Sequence, residues 1–253
     1  MSTILYEYPF NESIRTMLRL EHLFGRLDVL VARDDAVDHH FAIATLFEIM
    51  DVASRADLKS DLLKELERHK VQLEAFRGNP HIAEAVLDQV IGRLEQAFQG
   101  LNQLPGKAGQ ALTGNEWLMS IRSRISIPGG TCEFDLPAYY AWQQRTPEAR
   151  RADLLRWVAT VRPLADAIGA LLGLLRDSGQ PQRVIATGGQ FQQGLPQGRS
   201  YHLLRLRLPA GTEWVPEISG HRLMVSVRFM RGDADGRLKP AGADVAFDLT
   251  LCS

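Results

Sequence analysis

The residues of this sequence best suited to binding chemistry are basic side chains at helical spacing near the N-terminus. Arg15, Arg19, His22 and Arg26 are separated by steps of four, three and four residues, which places them on one face of an α-helix. Guanidinium groups on such a face pair well with carboxylates, so one interpretation is a docking strip for an acidic peptide. The alternative is a solvated helix face balanced by neighbouring glutamates.

A second basic pair, Arg122 and Arg124, comes just before a glycine-rich run. The sequence Pro128-Gly129-Gly130 predicts a turn. A phosphate-binding loop would also need a Lys-Ser/Thr pair or a strand-to-helix glycine fingerprint, and neither accompanies it. Gly188-Gly189 lacks the dinucleotide-binding spacing as well and predicts a flexible loop.

One local group combines residue types that bind metals: Asp34, Asp35, Asp38, His39 and His40. Its spacing matches neither a zinc site nor a calcium loop, so it predicts the start of a helix, where acidic residues are favourable. His69 is interpreted as a packed, hydrogen-bonded histidine. The sequence therefore predicts no metal site and no cofactor, and nothing in it predicts an enzyme.

Residues 1–178 have the apolar periodicity of consecutive helices. Asn11 can cap the helix that bears the basic strip, and the run from Arg77 to Pro80 should end a later one. A heptad seam is predicted within residues 57–76, as a self-association surface or as the core of a helical bundle; it comprises Leu62, Leu66, His69, Leu73 and Phe76. A further stripe, predicted to end at Gly100, comprises Ile82, Val86, Val90, Leu94 and Phe98.

After Gly179 the apolar residues alternate with polar ones, which predicts antiparallel strands with one buried face. The alternating sets are Leu204, Leu206 and Leu208, then Leu223, Val225, Val227 and Phe229, then Val245, Phe247, Leu249 and Leu251. The segment 232–236 supplies a loop between the last two sets. The fold class is therefore α+β, with a helical domain over residues 1–178 and an antiparallel β domain over residues 183–253. Residues 3–8 also alternate and could add a strand to the β domain.

Composition limits the functional classes. The chain has 253 residues and a net charge of −1, which argues against a general nucleic-acid-binding protein. Its two cysteines and the lack of an apparent export signal favour a soluble cytoplasmic protein. The most apolar stretch, residues 163–175, is too short to cross a bilayer, so no membrane insertion is predicted.

Several segments, in order, resemble the ZapD family of bacterial division factors. They extend over nearly the whole chain, and the ordered set is specific. The segments are residues 5–12, 14–21, 62–68, 122–130, 134–137, 218–221 and 227–230, which read LYEYPFNE, IRTMLRLE, LLKELER, RSRISIPGG, FDLP, ISGH and VRFM.

The resemblance implies a helical domain joined to a β-sandwich-like domain, and a homodimer. It further implies binding to the C-terminal tail of FtsZ and bundling of FtsZ filaments at the division ring. The family's basic pocket would receive the tail through Arg19, with Arg15, Arg26, Arg122 and Arg124 as further candidates.

Two positions depart from the family pattern. Some members have a basic residue where this chain has Glu116 and a histidine where it has Tyr140. The predicted pocket is therefore less positive here.

A rival hypothesis is a regulatory nucleic-acid-binding protein that uses arginines of the β domain. These are Arg205, Arg207, Arg222, Arg228 and Arg231. The first two would share one face of a strand and could follow a phosphate backbone. The lack of interleaved aromatic residues, on which single-stranded bases would stack, argues against this hypothesis.

Overall fold

The computed structural model describes residues 2–54 and 57–253 and has the α+β fold predicted from the sequence. Helices dominate the N-terminal part and antiparallel strands the C-terminal part. The helices are α1 (Glu12–Ala32), α2 (Ala36–Ala53), α3 (Leu58–Glu74), α4 (Glu84–Gln103), α5 (Gln110–Thr113), α6 (Glu116–Arg124), α7 (Pro137–Gln143), α8 (Pro147–Ala159) and α9 (Arg162–Asp177).

The strands form two antiparallel sheets. They are β1 (Thr3–Pro9), β2 (Gln182–Ala186), β3 (Gln190–Gly194), β4 (Leu203–Pro209), β5 (Trp214–His221), β6 (Met224–Gly232), β7 (Leu238–Pro240) and β8 (Val245–Cys252). One sheet has the order β1-β4-β8-β2, and the other has the order β3-β6-β5 with β7 paired to β6.

The chain divides into two compact units. The β unit comprises Met1–Met17 and Leu172–Ser253, and the helical unit comprises Leu18–Leu171. One boundary falls within α1 and the other within α9.

The β unit has a core built from the alternating residues of its long strands. Val225, Val227 and Phe229 of β6 are buried, as are Val245 and Phe247 of β8. The rings of Phe229 and Phe247 belong to different sheets and lie 5.1 Å apart in an edge-to-face arrangement. The inner faces of the two sheets therefore pack together as in a β-sandwich.

The N-terminal strand β1 is an edge strand of the first sheet and pairs with β4 from Thr3 to Pro9. A nearly buried carboxylate, Glu7, anchors it. Glu7 accepts hydrogen bonds from Arg205 of β4 at 3.0 Å, and from two nitrogens of Arg176 at 2.9 and 2.7 Å. This ion-pair cluster ties β1 to parts of the chain that follow it by well over a hundred residues.

The helical unit has its densest core around α2 and an aromatic cluster. Half of the residues of α2 are buried, from His39 to Ala53. The rings of Trp117 and Trp157 lie 5.5 Å apart, and those of Tyr139 and Trp142 stack at 5.9 Å. These large side chains bring α6, α7 and α8 together.

Helix ends follow the predicted local chemistry. Asn11 accepts a hydrogen bond from the backbone N–H of Ile14 at 2.9 Å, so it caps α1 as predicted. Asp35 caps α2 in the same way through Val37, which confirms the predicted helix start. Gly78 follows α3 with a φ of 76°, a left-handed conformation that glycine adopts readily.

The predicted apolar stripe of α4 is only partly correct, because Leu94 is its one member that is fully buried within the described residues. The residues that are buried are Leu87, Ile91, Leu94, Ala97 and Leu101, whereas Val86 is 58% exposed. A constant step of four residues rotates by about 40° around a helix each time, so a stripe at that spacing drifts off the buried face. Apolar residues separated alternately by three and by four positions stay on one face of the helix. The helix also continues past Gly100 to Gln103.

The predicted seam of α3 is only partly correct. Leu62 and Leu66 are buried within the chain, whereas Leu73 is half-buried. Phe76 lies beyond the end of the helix at Glu74 and is 47% exposed. The first half of the seam is thus intramolecular core.

In the β unit two predicted core positions, Leu223 and Leu251, differ from expectation. Leu223 precedes β6 and is 44% exposed, because the strand begins at Met224. Leu251 is half-buried, while its neighbours Thr250 and Cys252 are buried. The loop at 232–236 leads into the short strand β7, which the alternation of apolar residues did not indicate.

Candidate functional site

The basic strip on α1 lies opposite the apolar face of that helix. Leu20, Leu23 and Leu27 are buried, and Arg19 and His22 are exposed. Arg26 follows Arg19 by seven residues, or nearly two turns, so the two share a face and lie about 10 Å apart along the helix axis. Arg19 is therefore presented outward by the packing of α1.

Arg26 binds a carboxylate on the neighbouring helix. Its Nη2 donates to Glu48 Oε1 of α2 at 2.6 Å, and the Arg26 side chain is 39% exposed. Its Nε is buried and has no hydrogen-bond partner within residues 2–54 and 57–253. The pair with Glu48 thus uses only part of the donor capacity of the guanidinium.

Arg122 of α6 binds a second carboxylate on α2, three residues beyond the first. Its Nη2 donates to Asp51, and its guanidinium carbon lies 5.9 Å from the ring centre of the buried Phe47. Residues three apart share a helix face, so Glu48 and Asp51 bring Arg26 and Arg122 to neighbouring points on α2. We call these four residues the arginine–carboxylate clamp.

Arg124 is held separately from the clamp. It donates to Asp135 at 2.9 Å across the predicted Pro-Gly-Gly turn. A side chain at Gly130 would lie 2.7 Å from the carbonyl oxygen of Arg124, so the close turn requires glycine there. The structure confirms the turn and gives Arg124 a local partner.

Arg15 lies in the β unit, where it forms an ion pair with Glu12 at 3.4 Å. The structure therefore places Arg19, Arg26, Arg122 and Arg124 in the helical unit and Arg15 in the other. Direct contacts with Glu48 and Asp51 bring Arg26 and Arg122 to one helix, α2.

The two positions that depart from the family pattern are both at the surface. Glu116 is the first residue of α6 and is exposed, and Tyr140 of α7 is 45% exposed. A carboxylate in the first turn of a helix is favoured by the helix dipole. Glu116 therefore has a local role at the start of α6.

Sequence reasoning missed a buried polar cluster that holds α8 against the junction of α1 and α2. Arg150 is 5% exposed and donates from Nε to His39 Nδ1 at 3.0 Å. His39 Nε2 lies 2.7 Å from the carbonyl oxygen of Arg33, so the neutral ring carries its proton on Nε2. Arg151 donates to carbonyl oxygens at the end of α1, including that of Val31 at 3.0 Å. These cations satisfy unpaired carbonyls at the helix terminus.

The charge on His39 is disfavoured in this cluster. Burial lowers the pKa of His39, and the positive charges of Arg150 and Arg151 lower it further. Burial also lowers the pKa of His40. His40 Nδ1 lies 2.7 Å from the hydroxyl of Tyr139, so both histidines of the former metal-binding candidate group have structural partners. Among the described residues no group of three or more His, Cys, Asp or Glu side chains is placed to hold a metal ion.

Three arginines of the β unit that could have served nucleic-acid binding are paired with glutamates. Arg205 contacts Glu7 and is only 15% exposed, and Arg228 pairs with Glu217 at 3.0 Å. Arg231 pairs with Glu213 at 2.9 Å. Each of these three guanidinium groups therefore already holds a glutamate of the β unit.

No single helix within the described ranges is long and apolar enough to span a membrane, although α8 and α9, as a bent pair, meet the length and composition criteria.

Comparison with known proteins adds a family relationship. Residues 18–228 match the family described as "ZapD: Cell division protein". The chain is 55% identical over 251 residues to proteins named "Cell division protein ZapD" from Cupriavidus pinatubonensis and from Ralstonia pickettii. Each alignment covers 99% of this chain and 99% of the relative.

Proposed function

Because the chain belongs to the ZapD family of cell division proteins, we propose that it binds the C-terminal tail of FtsZ and crosslinks FtsZ filaments. In this proposal it promotes Z-ring assembly at the septum, working in the cytoplasm at the mid-cell division ring. It acts as a homodimeric adaptor and not as an enzyme, and it needs neither a metal ion nor a cofactor.

The observation that supports tail binding most directly is that the helical unit already binds carboxylates at its surface. Arg26 and Arg122 each hold a carboxylate of α2, and Arg19 is presented on the same face of α1 as Arg26. Guanidinium groups at such positions suit the acidic side chains of a peptide, because charge-assisted hydrogen bonds are both strong and directional.

We assign the main contact to Arg19 and supporting contacts to Arg26 and Arg122. Arg15 and Arg124 are the weaker candidates, because their carboxylate partners, Glu12 and Asp135, lie outside α2 and so do not bring them beside Arg26 and Arg122. The exposed ion pairs contribute modestly one at a time, so the tail gains affinity from several such contacts together and loses it progressively as salt screens them.

Co-sedimentation with purified FtsZ tests the proposal. The protein should pellet with filaments of full-length FtsZ and bundle them, and it should do neither with FtsZ that lacks the C-terminal tail. FtsZ alone, pelleted under the same conditions, controls for spontaneous bundling. Equal pelleting with full-length and tail-less FtsZ would contradict binding through the tail.

A further inference from the structure

The clamp also offers a means of regulating the proposed binding surface, and this inference rests on the proposed function. We propose that Glu48 and Asp51 are built-in competitors of the acidic ligand. They occupy Arg26 and Arg122 in the free protein, and an acidic peptide must displace them to bind. The clamp would thereby set both the affinity of the surface and its preference for ligands with several carboxylates.

The exposure of the four side chains indicates which partners can move. Arg26 is 39% exposed against 53% for Glu48, and Arg122 is 32% exposed against 65% for Asp51. In each pair the arginine is the more enclosed member, and Arg122 also lies over the buried ring of Phe47. The carboxylates can therefore turn into water at little cost, since exposed ion pairs are weak.

Helix electrostatics favours the same direction of exchange. Asp51 lies in the last turn of α2, where the dipole of the helix disfavours negative charge. Arg122 lies in the last turn of α6, where the dipole favours positive charge. Arg122 therefore keeps a stabilising environment when Asp51 leaves, whereas the end of α2 does not stabilise the carboxylate of Asp51.

Arg26 is incompletely bonded in the free protein. Glu48 takes one terminal nitrogen of the guanidinium, and the covered Nε has no partner in the described part of the chain. Glu48 therefore does not use the full donor capacity of Arg26. Its displacement costs a single charge-assisted hydrogen bond at the surface, which a ligand carboxylate can replace.

The test compares peptide binding by three proteins. The Glu48→Gln/Asp51→Asn variant removes both competing charges while keeping the side-chain shapes. The control variant, Glu65→Gln/Glu74→Gln, removes two half-buried carboxylates of α3 that pair with the arginines three residues later, so its net charge changes by the same amount. The probe is a fluorescein-labelled FtsZ tail peptide, together with a version in which its acidic residues are replaced by amides.

We expect the clamp variant to bind the acidic peptide about five- to tenfold more tightly than the parent, as loss of two exposed ion pairs implies. The control variant should stay within about twofold of the parent. The amide peptide should gain nothing from the clamp substitutions.

Equal or weaker binding of the acidic peptide by the clamp variant, with the parent binding normally, overturns the clamp proposal alone. An equal gain in the control variant overturns it too, because the effect would then be one of net charge. Failure of all three proteins to bind the acidic peptide overturns the proposed function and the clamp with it.

Discussion

Arg19 differs from the other four predicted contact residues because it is exposed, whereas Arg15, Arg26, Arg122 and Arg124 are half-buried. Its position follows from the packing of α1, because the apolar face of this helix, which includes Leu20, is buried in the core and leaves Arg19 at the surface. A substitution at Arg19 should therefore alter binding without altering the core.

We predict that Arg19→Glu weakens binding of the FtsZ tail by about tenfold or more, because it replaces an attraction with a repulsion. The free energy of unfolding should change by less than about 0.5 kcal/mol. Arg93→Glu, a charge reversal at an exposed position of α4, is the matched control. Fluorescence anisotropy at low and high salt measures the effect. Tail affinity that is insensitive both to Arg19→Glu and to salt would refute the assignment.

The buried cluster of Arg150 and His39 gives a prediction about pH. The pKa of His39 is lowered in the folded protein from its ordinary value of 6.5. The unfolded chain therefore takes up this proton first as the pH falls. The contribution of the neutral His39 ring to the free energy of unfolding is therefore present in full above pH 6.5, and it decreases as the pH drops below that value. His40 acts in the same direction.

We expect the free energy of unfolding to fall between pH 7.5 and 5.5, by up to about 1.4 kcal/mol per pH unit for each proton. Urea denaturation at the two pH values measures this. His39→Gln keeps an acceptor for Arg150 and a donor for Arg33 but does not titrate, so it should flatten the dependence and leave the part due to His40. A pH dependence as steep in His39→Gln as in the parent would show that His39 is not responsible.

At the scale of elements, β1 depends on contacts with residues far away in sequence. Its carboxylate Glu7 is 14% exposed, and its two arginine partners, Arg176 and Arg205, are 21% and 15% exposed. Removal of the shared charge would replace the carboxylate that faces both guanidinium groups with a neutral amide.

We predict that Glu7→Gln lowers the free energy of unfolding by about 2 kcal/mol, somewhat less than the loss seen for fully buried ion pairs. Glu217→Gln is the control, because its pair with Arg228 is exposed and should contribute less than about 1 kcal/mol. Chemical denaturation at neutral pH compares them. Equal losses in the two variants would mean that Glu7 behaves as a surface residue.

The elements differ in how well the sequence specifies them. The strands β4, β6 and β8 could be predicted because buried and exposed residues alternate along them. The edge strand β3, with the sequence QFQQG, has a single apolar residue and gave no such signal. Its position depends on pairing with β6, and pairing between strands is a long-range property that local periodicity does not report.

The arginines of the candidate site could be predicted from the sequence, but their carboxylate partners could not. The spacing of Arg19 and Arg26 on one helix is visible in the sequence, because helix geometry relates neighbouring turns. The partners Glu48 and Asp51 were not predicted, since their contacts depend on how α1 and α6 pack against α2. A charged pair at i, i+3 near the end of α2 was the available signal, and alone it is too common to identify a partner.

At the scale of the whole molecule, the proposed crosslinking requires two tail-binding surfaces in each particle. A particle with one surface can only decorate a filament, whereas a C2 dimer presents the same surface twice and can join two filaments. We therefore predict a mass in solution of about twice the 28.3 kDa chain mass at micromolar concentration. Light scattering coupled to size exclusion measures it.

Dimers that contain one parent chain and one variant chain test directly whether bundling requires two tail-binding surfaces. The parent chain and Arg19→Glu are co-expressed in different proportions, so that dimers form at random. If bundling needs two competent surfaces, it should follow the square of the parent fraction, and an equal mixture should retain about one quarter of full activity. Tail binding should instead fall in proportion to the parent fraction, because each surface binds alone. A linear loss of bundling, or full bundling by a protein with the mass of one chain, would contradict the requirement for two surfaces.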